Sequence, residues 1–595
     1  MQPTMEILAR ISQNARCNKD EVFTRLYRYL LRSDLYFVAY QKLYSNKGAS
    51  TKGINDDTAD GFSERKIERI IKSLADESYM PTPVRRTYIQ KENGKMRPLG
   101  IPTFTDKLIQ EILRMILEAV YEPVFLDCSH GFRPNKSCHT ALKDVKHQFH
   151  GTRWFVEGDI KGCFDNIDHA VLVGLVNSKI KDIRLIKLIY KFLKAGYLEN
   201  FKYHKTYSGT PQGGIISPIL SNIYLHELDE FVIKLKAEFD KPRDRWFTPE
   251  YDKARHQVET ARKRLKNAVG EEKQRFLAEL KTARAVLLKT PCKSQTDKQI
   301  KYIRYADDFL IGVNGSKEDC LWIKGKLSEF IRDTLKMELS DKKTLITHSN
   351  SFARFLGYDV RVRRDDKIKR GSSTNCTKRT LNNMTELVIP FDDKITKFLF
   401  NKGVVEQKNK QLWAVHRKHL LHLTDLEIVS TYNAELRGIC NYYHMASNFC
   451  NLNYFDYLMG YSCLKTLAAK HKCPVPKVLK MFKDGKGGWG IPYETKQGKK
   501  RLYFAKYADS KSVKNPSDII ERVSVMYSGS TTTFESRLKA KVCELCGTEE
   551  AEHYDIHHVN KVKNLKGKEP WERIMIAKRR KTLVVCEKCH VSIHN

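Results

Sequence analysis

The chain contains 595 residues, of which 106 are lysine or arginine and 70 are aspartate or glutamate, so its formal net charge is +36. Hydrophobic residues make up 41% of the sequence and aromatic residues 10%, which excludes a chain that is disordered throughout. A length of this order predicts roughly three or four domains. The positive charge exceeds what solubility requires and indicates a polyanionic partner, with nucleic acid favoured over a membrane surface.

Membrane and secretory classes are not expected. The N-terminal residues show no apolar run followed by a small-residue cleavage site, and no stretch of about 18 uncharged apolar residues occurs. Of 15 cysteines, most are scattered singly, whereas two Cys-x-x-Cys pairs lie near the C-terminus. This distribution predicts a reduced, cytoplasmic protein with one cysteine metal site.

The pattern along the chain predicts a multidomain α+β protein. Residues 1–80 have amphipathic helical spacing broken by a polar loop, and residues 81–365 alternate short apolar strands with helices. Within the latter, the charged segment at about 234–290 predicts an inserted helical hairpin, although a solvated charged helix explains it equally well. Residues 366–480 are mainly helical in pattern, and the basic stretch 481–540 is weakly patterned.

Two acidic motifs indicate a metal-dependent active site. Apolar runs flank Asp307 and Asp308 within residues 301–313, which predicts a β-hairpin with both carboxylates at its tip. A second predicted strand, within residues 154–167, carries Asp159. Neighbouring carboxylates repel each other unless a cation neutralises them, and Mg²⁺ ions with oxygen ligands can do so and assist phosphoryl transfer. An acidic turn without catalytic function would also explain this short motif taken alone.

Metal-ligand spacing occurs again in residues 541–595. Two Cys-x-x-Cys pairs have the spacing of a tetrahedral Cys₄ zinc site: Cys543, Cys546, Cys586 and Cys589. Two disulfides are a poor alternative in a reduced, basic protein. Four histidines are interleaved with these cysteines: His557, His558, His590 and His594. The last two are four residues apart and share one face if that segment is helical.

A series of blocks in the same order resembles the reverse-transcriptase blocks of group II intron-encoded proteins. These blocks are QKENGKMRPLGIP (90–102), HGFRPNKSCHTAL (130–142), GDIKGCFDNID (158–168), GTPQGGIISPILSNIYLHELD (209–229), RYADDF (304–309), LSDKKTLITH (339–348) and RFLGY (354–358). The resemblance extends over essentially the whole chain, so it is far more specific than any one motif.

The resemblance implies a right-hand polymerase followed by further nucleic-acid modules. The implied regions are an RNA-binding extension leading into the fingers (1–80), reverse transcriptase fingers and palm (81–365), an α-helical thumb or maturase domain (366–480), a DNA-binding segment (481–540) and a ββα-metal HNH endonuclease with the Cys₄ zinc site (541–595). By this match the inserted hairpin and the thumb cooperate with the extension in binding intron RNA.

The resemblance also implies functions for polymerase residues. Asp159, Asp307 and Asp308 match catalytic carboxylates that hold two Mg²⁺ ions, and the backbone carbonyl of Ile160 is a further candidate ligand. Phe164 would exclude a ribose 2′-hydroxyl and favour deoxynucleotides, with an ordinary core phenylalanine as the alternative. Contacts to the incoming nucleotide fall on Lys91, Arg97, Gln212 and Lys343. Of these, Lys343 would help pyrophosphate leave, but a surface lysine is favoured by sequence alone.

In the thumb, four residues are candidate RNA contacts: Arg437, Asn441, Tyr442 and Tyr443. Tyrosines beside arginine can stack on bases and contact phosphates. Packing inside a helix bundle is the stronger explanation for the tyrosines when the sequence is considered alone.

The HNH resemblance implies that His558 is the general base that activates water. His557, His590 and His594 would hold a divalent ion against the scissile phosphate, although the histidines could instead serve only structural zinc. The sequence departs from the usual motif because Lys581 stands where an orienting asparagine is expected. Asn560 or Asn564 could supply that amide.

The function implied by the resemblance is that of a multifunctional intron protein. It would assist splicing of its group II intron RNA, nick one strand of a double-stranded DNA target and extend the resulting end with dNTPs. A bacterial intracellular location with RNA and the nucleoid follows, and a homodimer is one candidate assembly. Two alternatives stay open: a non-enzymatic splicing cofactor that retains the polymerase fold as scaffold, and a free-standing HNH homing endonuclease.

Overall fold

The computed structural model describes most of the chain. The residues outside this description are 1–3, 47, 91–93, 95, 201, 207, 210–212, 242–246, 291, 293–297, 342, 365–367, 371–376, 380–382, 485–487, 496–497 and 513–532. Across the described part of the chain, no helix combines the length and the apolar character needed to cross a membrane.

The N-terminal region is helical, as predicted, and leads into a small sheet. Its helices are α1 (Thr4–Cys17), α2 (Ser33–Tyr44), α3 (Glu64–Ala75) and α4 (Phe104–Tyr121), and its strands are β1 (Val84–Gln90) and β2 (Met96–Ile101). Helix α4 is buried along most of its length, and Thr103 caps it by accepting the backbone N–H of Asp106. The β1–β2 hairpin is extended by the later strands β5 (Tyr197–Glu199) and β6 (Lys202–His204).

A five-stranded sheet forms the centre of the molecule. Its strands are β3 (Ser129–His130), β4 (Trp154–Asp159), β7 (Gln299–Tyr305), β8 (Asp308–Asn314) and β9 (Ile346–His348), arranged in the order β3-β7-β8-β4-β9. The accompanying helices are α5 (Cys138–Gln148), α6 (His169–Lys179), α7 (Ile183–Lys194), α8 (Ser217–Phe239) and α11 (Lys317–Asp333). Strands β7 and β8 form the predicted hairpin, and the apolar side chains of β8 are buried.

The charged insertion forms two helices, α9 (Pro249–Asn267) and α10 (Glu271–Lys289), which pack against each other. The predicted start near residue 234 is too early, because Lys234 continues the long helix α8. Three small apolar side chains of α9 are buried, whereas α10 buries none. The hairpin therefore exposes most of its charged surface, as the solvated alternative requires.

Strands continue from the region predicted as mixed (81–365) into residues 366–480, which were predicted to be mainly helical. These are β10 (Ala353–Phe355), β11 (Tyr358–Val362), β12 (Ile368–Arg370), β13 (Thr377–Arg379), β14 (Thr385–Val388), β15 (Val405–Lys408) and β16 (Gln411–Ala414). In β11 every second side chain is buried, so the period of two indicates a strand. Helices follow: α12 (Lys397–Asn401) between β14 and β15, then α13 (Asp425–Tyr442), α14 (Leu452–Lys470) and α15 (Val475–Phe482).

After the hairpin β17 (Gly490–Thr495) and β18 (Gly498–Tyr503), the C-terminal tail forms a compact unit. The tail contains α16 (Thr533–Lys539), β19 (Tyr554–His558), α17 (Pro570–Lys578), β20 (Thr582–Cys586) and α18 (Glu587–His594). Strands β19 and β20 pair antiparallel. The tail shares its apolar core with the N-terminal helices, and Phe62 forms a β-bridge with Ile556.

Candidate active sites and metal centres

Three carboxylates meet at one end of the central sheet. Asp159 ends β4 and lies directly opposite Asp308, the first residue of β8, in the antiparallel register. Asp307 occupies the turn between β7 and β8, next to Ala306, whose φ of 55° is left-handed. The backbone N–H of Ala306 donates to the carbonyl of His130 at 3.0 Å, which fixes the turn. The sheet register therefore brings together the three aspartates that the sequence predicted as one site.

A buried ion pair supports this turn from below. Arg304 and Asp229 are both fully buried, and the guanidinium Nε lies 2.7 Å from Asp229 Oδ1. The same guanidinium donates to the carbonyl of Ala306 at 2.9 Å and to Ser129 Oγ at 2.7 Å, while Tyr302 donates to Asp229. Every strong donor of Arg304 thus has an acceptor, as burial of a charge requires. Sequence reasoning did not identify this pair.

The carboxylate cluster is electrostatically frustrated when no cation is bound. Enclosure of its carboxylate and the charges of Asp307 and Asp159 raise the pKa of Asp308 to about 7. Burial and the charge of Asp159 also raise the pKa of Asp307, against the cations Arg97 and Lys343. The donor set consists of oxygens alone, the chemistry that Mg²⁺ prefers, so these residues fit a divalent metal site.

The predicted nucleotide contacts differ in where they lie. Lys343 Nζ pairs with both carboxylate oxygens of Asp159, at 2.9 and 3.0 Å. Its side chain is 67% exposed, so Lys343 is a surface lysine that also contacts the carboxylate site. This hydrogen bond raises the pKa of the Lys343 ammonium. Arg97 is exposed on β2, whereas Lys91 and Gln212 fall outside the described residues.

Two other predicted residues follow β4. Ile160 is buried and forms a β-bridge with Leu339. Phe164 is half-buried in a short 3₁₀ turn after Asp159, and its ring meets that of Phe132 edge to face at 6.2 Å between centroids. Phe132 is itself 55% exposed, so Phe164 lies under a surface aromatic rather than inside a large core.

The candidate RNA contacts at the end of α13 divide into packed and exposed residues. The hydroxyl of Tyr442 donates to the carbonyl of Leu356 at 2.6 Å, and that of Tyr443 donates to the carbonyl of Gly357 at 3.2 Å. Tyr443 is only 4% exposed, which fits the packing explanation. Arg437 is exposed and Asn441 is half-buried. The two tyrosines therefore join α13 to the β10–β11 turn.

The four cysteines of the tail form one cluster, because their sulfur atoms all lie within 4.8 Å of one another. Cys546 Sγ and Cys586 Sγ are 3.8 Å apart, close to the edge of about 3.8 Å of a tetrahedron with Zn–S bonds of about 2.3 Å. Burial acts to raise the pKa of Cys543, but N–H groups that include those of Cys546 and Cys586 outweigh it and lower that pKa to about 7. The cluster fits a tetrahedral metal ion and holds no disulfide.

Three histidines form a second cluster in the tail, and a fourth member comes from far away in sequence. His557 on β19 lies beside His590 and His594, which share one face of α18 as predicted. Asp60 reaches all three: its Oδ1 is 3.2 Å from His557 Nδ1, and its Oδ2 is 3.3 Å from His590 Nε2 and 2.7 Å from His594 Nε2. Asp60 has no motif around it and was not predicted as a site residue.

The donors of this cluster fit a metal ion. His557 Nε2 is buried and has no hydrogen-bond partner among the described residues. His590 Nδ1 lies 3.1 Å from Asp555 Oδ2, the kind of second contact that orients a metal-binding imidazole. Burial acts to raise the pKa of Asp60, but hydrogen bonds from His557 and His590 hold that pKa well below its ordinary range.

His558, the predicted general base, points away from this cluster toward the N-terminal region. It is 8% exposed, and its Nε2 lies 3.1 Å from the carbonyl oxygen of Tyr44. Burial lowers the pKa of His558. The hydrogen-bond partner of the His558 imidazole is therefore the main-chain carbonyl of Tyr44, and not the side-chain amide of Asn560 or Asn564.

Three family models match consecutive parts of the chain. The reverse transcriptase (RNA-dependent DNA polymerase) model covers residues 89–239, the type II intron maturase model covers 382–528, and the AI2M/AI1M-like HNH endonuclease model covers 543–590. With the carboxylate site and the ββα tail, these matches define the class: a reverse transcriptase joined to a maturase and an HNH endonuclease.

Relatives show the family. The chain is 64% identical to the group II intron-encoded protein LtrA of Lactococcus lactis subsp. cremoris, across 99% of both chains. It is 35% identical to a 91 kDa protein in the cob intron of Schizosaccharomyces pombe, covering 95% of this chain and 69% of the other. Nuclear intron maturase 2 of Arabidopsis thaliana is 24% identical over 81% of this chain and 70% of its own. The chain belongs to the group II intron-encoded proteins.

Membership in this family confirms the predicted function. The protein is an RNA-directed DNA polymerase and a DNA endonuclease that assists group II intron splicing, and it binds intron RNA and DNA. The polymerase, maturase and endonuclease matches lie on a single chain in that order, so neither a splicing cofactor without enzymatic activity nor a free-standing nuclease describes it.

Proposed function

We propose that Asp159, Asp307 and Asp308 are the catalytic carboxylates of the polymerase and hold two Mg²⁺ ions, with the carbonyl of Ile160 as a further ligand. Ions bound there would activate the primer 3′-hydroxyl and stabilise the leaving pyrophosphate. The observation that carries this proposal is the direct pairing of Asp159 with Asp308 beside Asp307. The elevated pKa of Asp308 supports it, because a bound cation would relieve the repulsion among these carboxylates.

We propose that cations around this cluster handle the triphosphate of the incoming dNTP. Lys343 contacts Asp159, and its ammonium would turn toward pyrophosphate as charge develops there. Arg97, Lys91 and Gln212 would contact phosphate and base from the fingers side. Phe164 would select deoxynucleotides by occupying the space of a 2′-hydroxyl.

For the tail, we propose a structural Zn²⁺ on the four cysteines and a divalent ion on His557, His590 and His594. The family resemblance implies Mg²⁺ there, whereas three imidazoles suit a transition-metal ion better than Mg²⁺. An ion held by these imidazoles would supply positive charge against a scissile phosphate. His558 would take the proton from the attacking water, since its lowered pKa leaves it neutral near pH 7. Asp555 orients His590 through its Nδ1 contact.

The proposed division of labour follows the chain. Residues 1–80, the α9–α10 hairpin and residues 366–480, including Arg437 and Asn441, bind intron RNA, while residues 481–540 bind DNA. The charge of +36 fits such extended phosphate contacts. Localisation in the bacterial cytoplasm with RNA and the nucleoid, and assembly as a homodimer, complete the proposal.

Primer extension on an RNA template tests the polymerase assignment. Asp307→Asn removes one charge without changing shape and should lower cDNA synthesis by about a thousandfold or more, because it removes a metal ligand at the reacting phosphate. Asp333→Asn, an exposed residue of α11, is the matched control and should retain wild-type synthesis. Undiminished cDNA from Asp307→Asn would overturn the assignment.

A further inference from the structure

A short N-terminal segment, residues 58–62, lies across the endonuclease site. The N–H of Gly61 donates to the carbonyl of Ile556 at 3.1 Å, and the N–H of Ile556 donates to the carbonyl of Phe62 at 2.9 Å. The N–H of His558 donates to Asp60 Oδ1 at 2.6 Å. The segment therefore adds to the exposed edge of β19, the strand that carries His557 and His558.

The carboxylate of Asp60 completes the metal-binding set of the three histidines. The ligand atoms of these four residues all lie within 4.8 Å of one another. Four protein donors are typical of closed structural sites, whereas a catalytic site keeps one position for water or substrate. A metal-dependent nuclease needs that position for a phosphate oxygen, which is an anion like the carboxylate of Asp60. In the docked arrangement the carboxylate of Asp60 stands as the fourth candidate donor beside the three histidines.

The same docking covers the proposed general base. The carbonyl of Tyr44, the last residue of α2, is 3.1 Å from His558 Nε2, and the Tyr44 ring meets the imidazole edge to face at 6.1 Å. His558 is consequently only 8% exposed. The Tyr44 carbonyl can only accept, so His558 Nε2 carries the proton and Nδ1 is the basic nitrogen. With the imidazole so little exposed, water positioned on DNA reaches this base only when the N-terminal region moves away.

The segment is firmly attached to the N-terminal region. The ring of Phe62 stacks on Tyr40 of α2 with 4.0 Å between centroids, and the Tyr40 hydroxyl donates to the carbonyl of Ala59 at 3.0 Å. Asp60 and Tyr44 therefore move as one body with α2. A displacement of α2 from the tail would free the metal position and the base together.

We propose that residues 58–62 hold the endonuclease in a latent state, with Asp60 acting as an internal substitute for the scissile phosphate and Tyr44 covering the base. The N-terminal region must withdraw from the tail before DNA enters. This inference rests on the histidine assignments proposed above. It ties nicking to the state of the region that we propose binds intron RNA, so the nuclease stays closed until that region is engaged.

The test compares Asp60→Asn and Asp60→Ala with wild type in the full-length, zinc-loaded chain without RNA. The matched control is Asp56→Asn, whose side chain is 88% exposed and pairs only with Lys52 among the described ion pairs. The first readout is single-turnover nicking of supercoiled plasmid carrying the joined exon sequence, with Mg²⁺. The second, independent of activity, is amide hydrogen exchange at Ile556 and His558.

Both Asp60 variants should nick at least about tenfold faster than wild type and Asp56→Asn, because a larger fraction of the molecules has an endonuclease site that is open to DNA. Exchange at Ile556 and His558 should accelerate in the same variants, since their N–H groups lose the docked segment. Adding His558→Ala to Asp60→Ala should abolish the gained nicking.

Other outcomes contradict specific statements. Wild-type nicking and wild-type exchange in the Asp60 variants would overturn the latent state. Loss of nicking with unchanged exchange would make Asp60 a required metal ligand, which also overturns it, as would faster exchange without faster nicking. Nicking that survives His558→Ala would instead refute the assignment of the base, while exchange would still report whether the segment docks.

Discussion

The carboxylate site and the metal centres of the tail are built in opposite ways. Asp159 and Asp308 lie on paired strands whose register is fixed by backbone hydrogen bonds. Asp307 lies in the adjoining turn, which Arg304 holds through the carbonyl of Ala306. The tail has only two short strands and three helices, and its apolar side chains pack in one core with the N-terminal helices. We therefore expect the sheet to keep its fold without a metal ion, and the tail to depend on its metal ligands for its own fold. The two regions should respond differently when their ligands are removed.

The largest effect is expected in the tail. Cys586→Ser should eliminate stoichiometric zinc and remove amide protection throughout residues 541–595, because structural zinc contributes about 10–16 kcal/mol of apparent binding energy to such small domains. Amide protection in the central sheet should not change. Metal analysis measures the zinc content and hydrogen exchange measures the protection, with Cys473→Ser outside the cluster as control. If the amides of the tail stay protected without zinc, the fold of the tail does not depend on its metal ligands.

The corresponding weak point of the central sheet is its buried ion pair. Arg304→Met leaves the carboxylate of Asp229 buried without its partner, and we expect a loss of about 3–5 kcal/mol in the free energy of unfolding. Denaturant unfolding measures this, and Arg304→Met combined with Asp229→Leu should recover much of the loss. A single variant as stable as wild type would show that the pair does not support the turn.

A smaller effect is expected at the edge of the carboxylate site. Lys343→Gln should reduce the rate of single-nucleotide addition about a hundredfold without changing stability, because we propose that its ammonium stabilises the departing pyrophosphate. Lys161→Gln, which removes an exposed lysine paired with Glu338, provides the control. Equal rates for both variants would return Lys343 to the surface-lysine interpretation.

The smallest effect concerns sugar selection. Phe164→Val should raise ribonucleotide incorporation relative to deoxynucleotide incorporation by about tenfold, because the smaller side chain leaves space for a 2′-hydroxyl. Competition between rNTP and dNTP in primer extension measures the ratio. An unchanged ratio would favour the core-phenylalanine alternative.

The sequence predicted the residues whose chemistry depends on local spacing. Asp307 and Asp308 were identified within a hairpin, the cysteine pairs by their spacing, and His590 and His594 by their helical separation. Arg304 and Asp229 were missed because a buried ion pair needs two distant residues and no local pattern. Asp60 and His558 are 498 positions apart, and only the folded chain brings them together.

The strands within residues 366–414 were missed for a different reason. They are short and interrupted by polar residues. In so short a stretch of sequence, the spacing of apolar residues fits a helix and a strand about equally well. Of these strands, β14 finds its partner in the earlier strand β11, whereas β12 pairs with β13 and β15 with β16. Lys343 illustrates the same limit at the level of one side chain, since its partner Asp159 is 184 positions away.

The position of the α9–α10 hairpin has an evolutionary consequence. The hairpin joins the chain before Gln299, at the start of β7, whereas Asp307 follows the other end of that strand. Seven residues of strand separate the two points, about 20 Å at roughly 3.3 Å per residue. An insertion at this place can lengthen, shorten or change its sequence without shifting the three carboxylates. The RNA contacts that we propose for the hairpin can thus change while the carboxylate site is conserved.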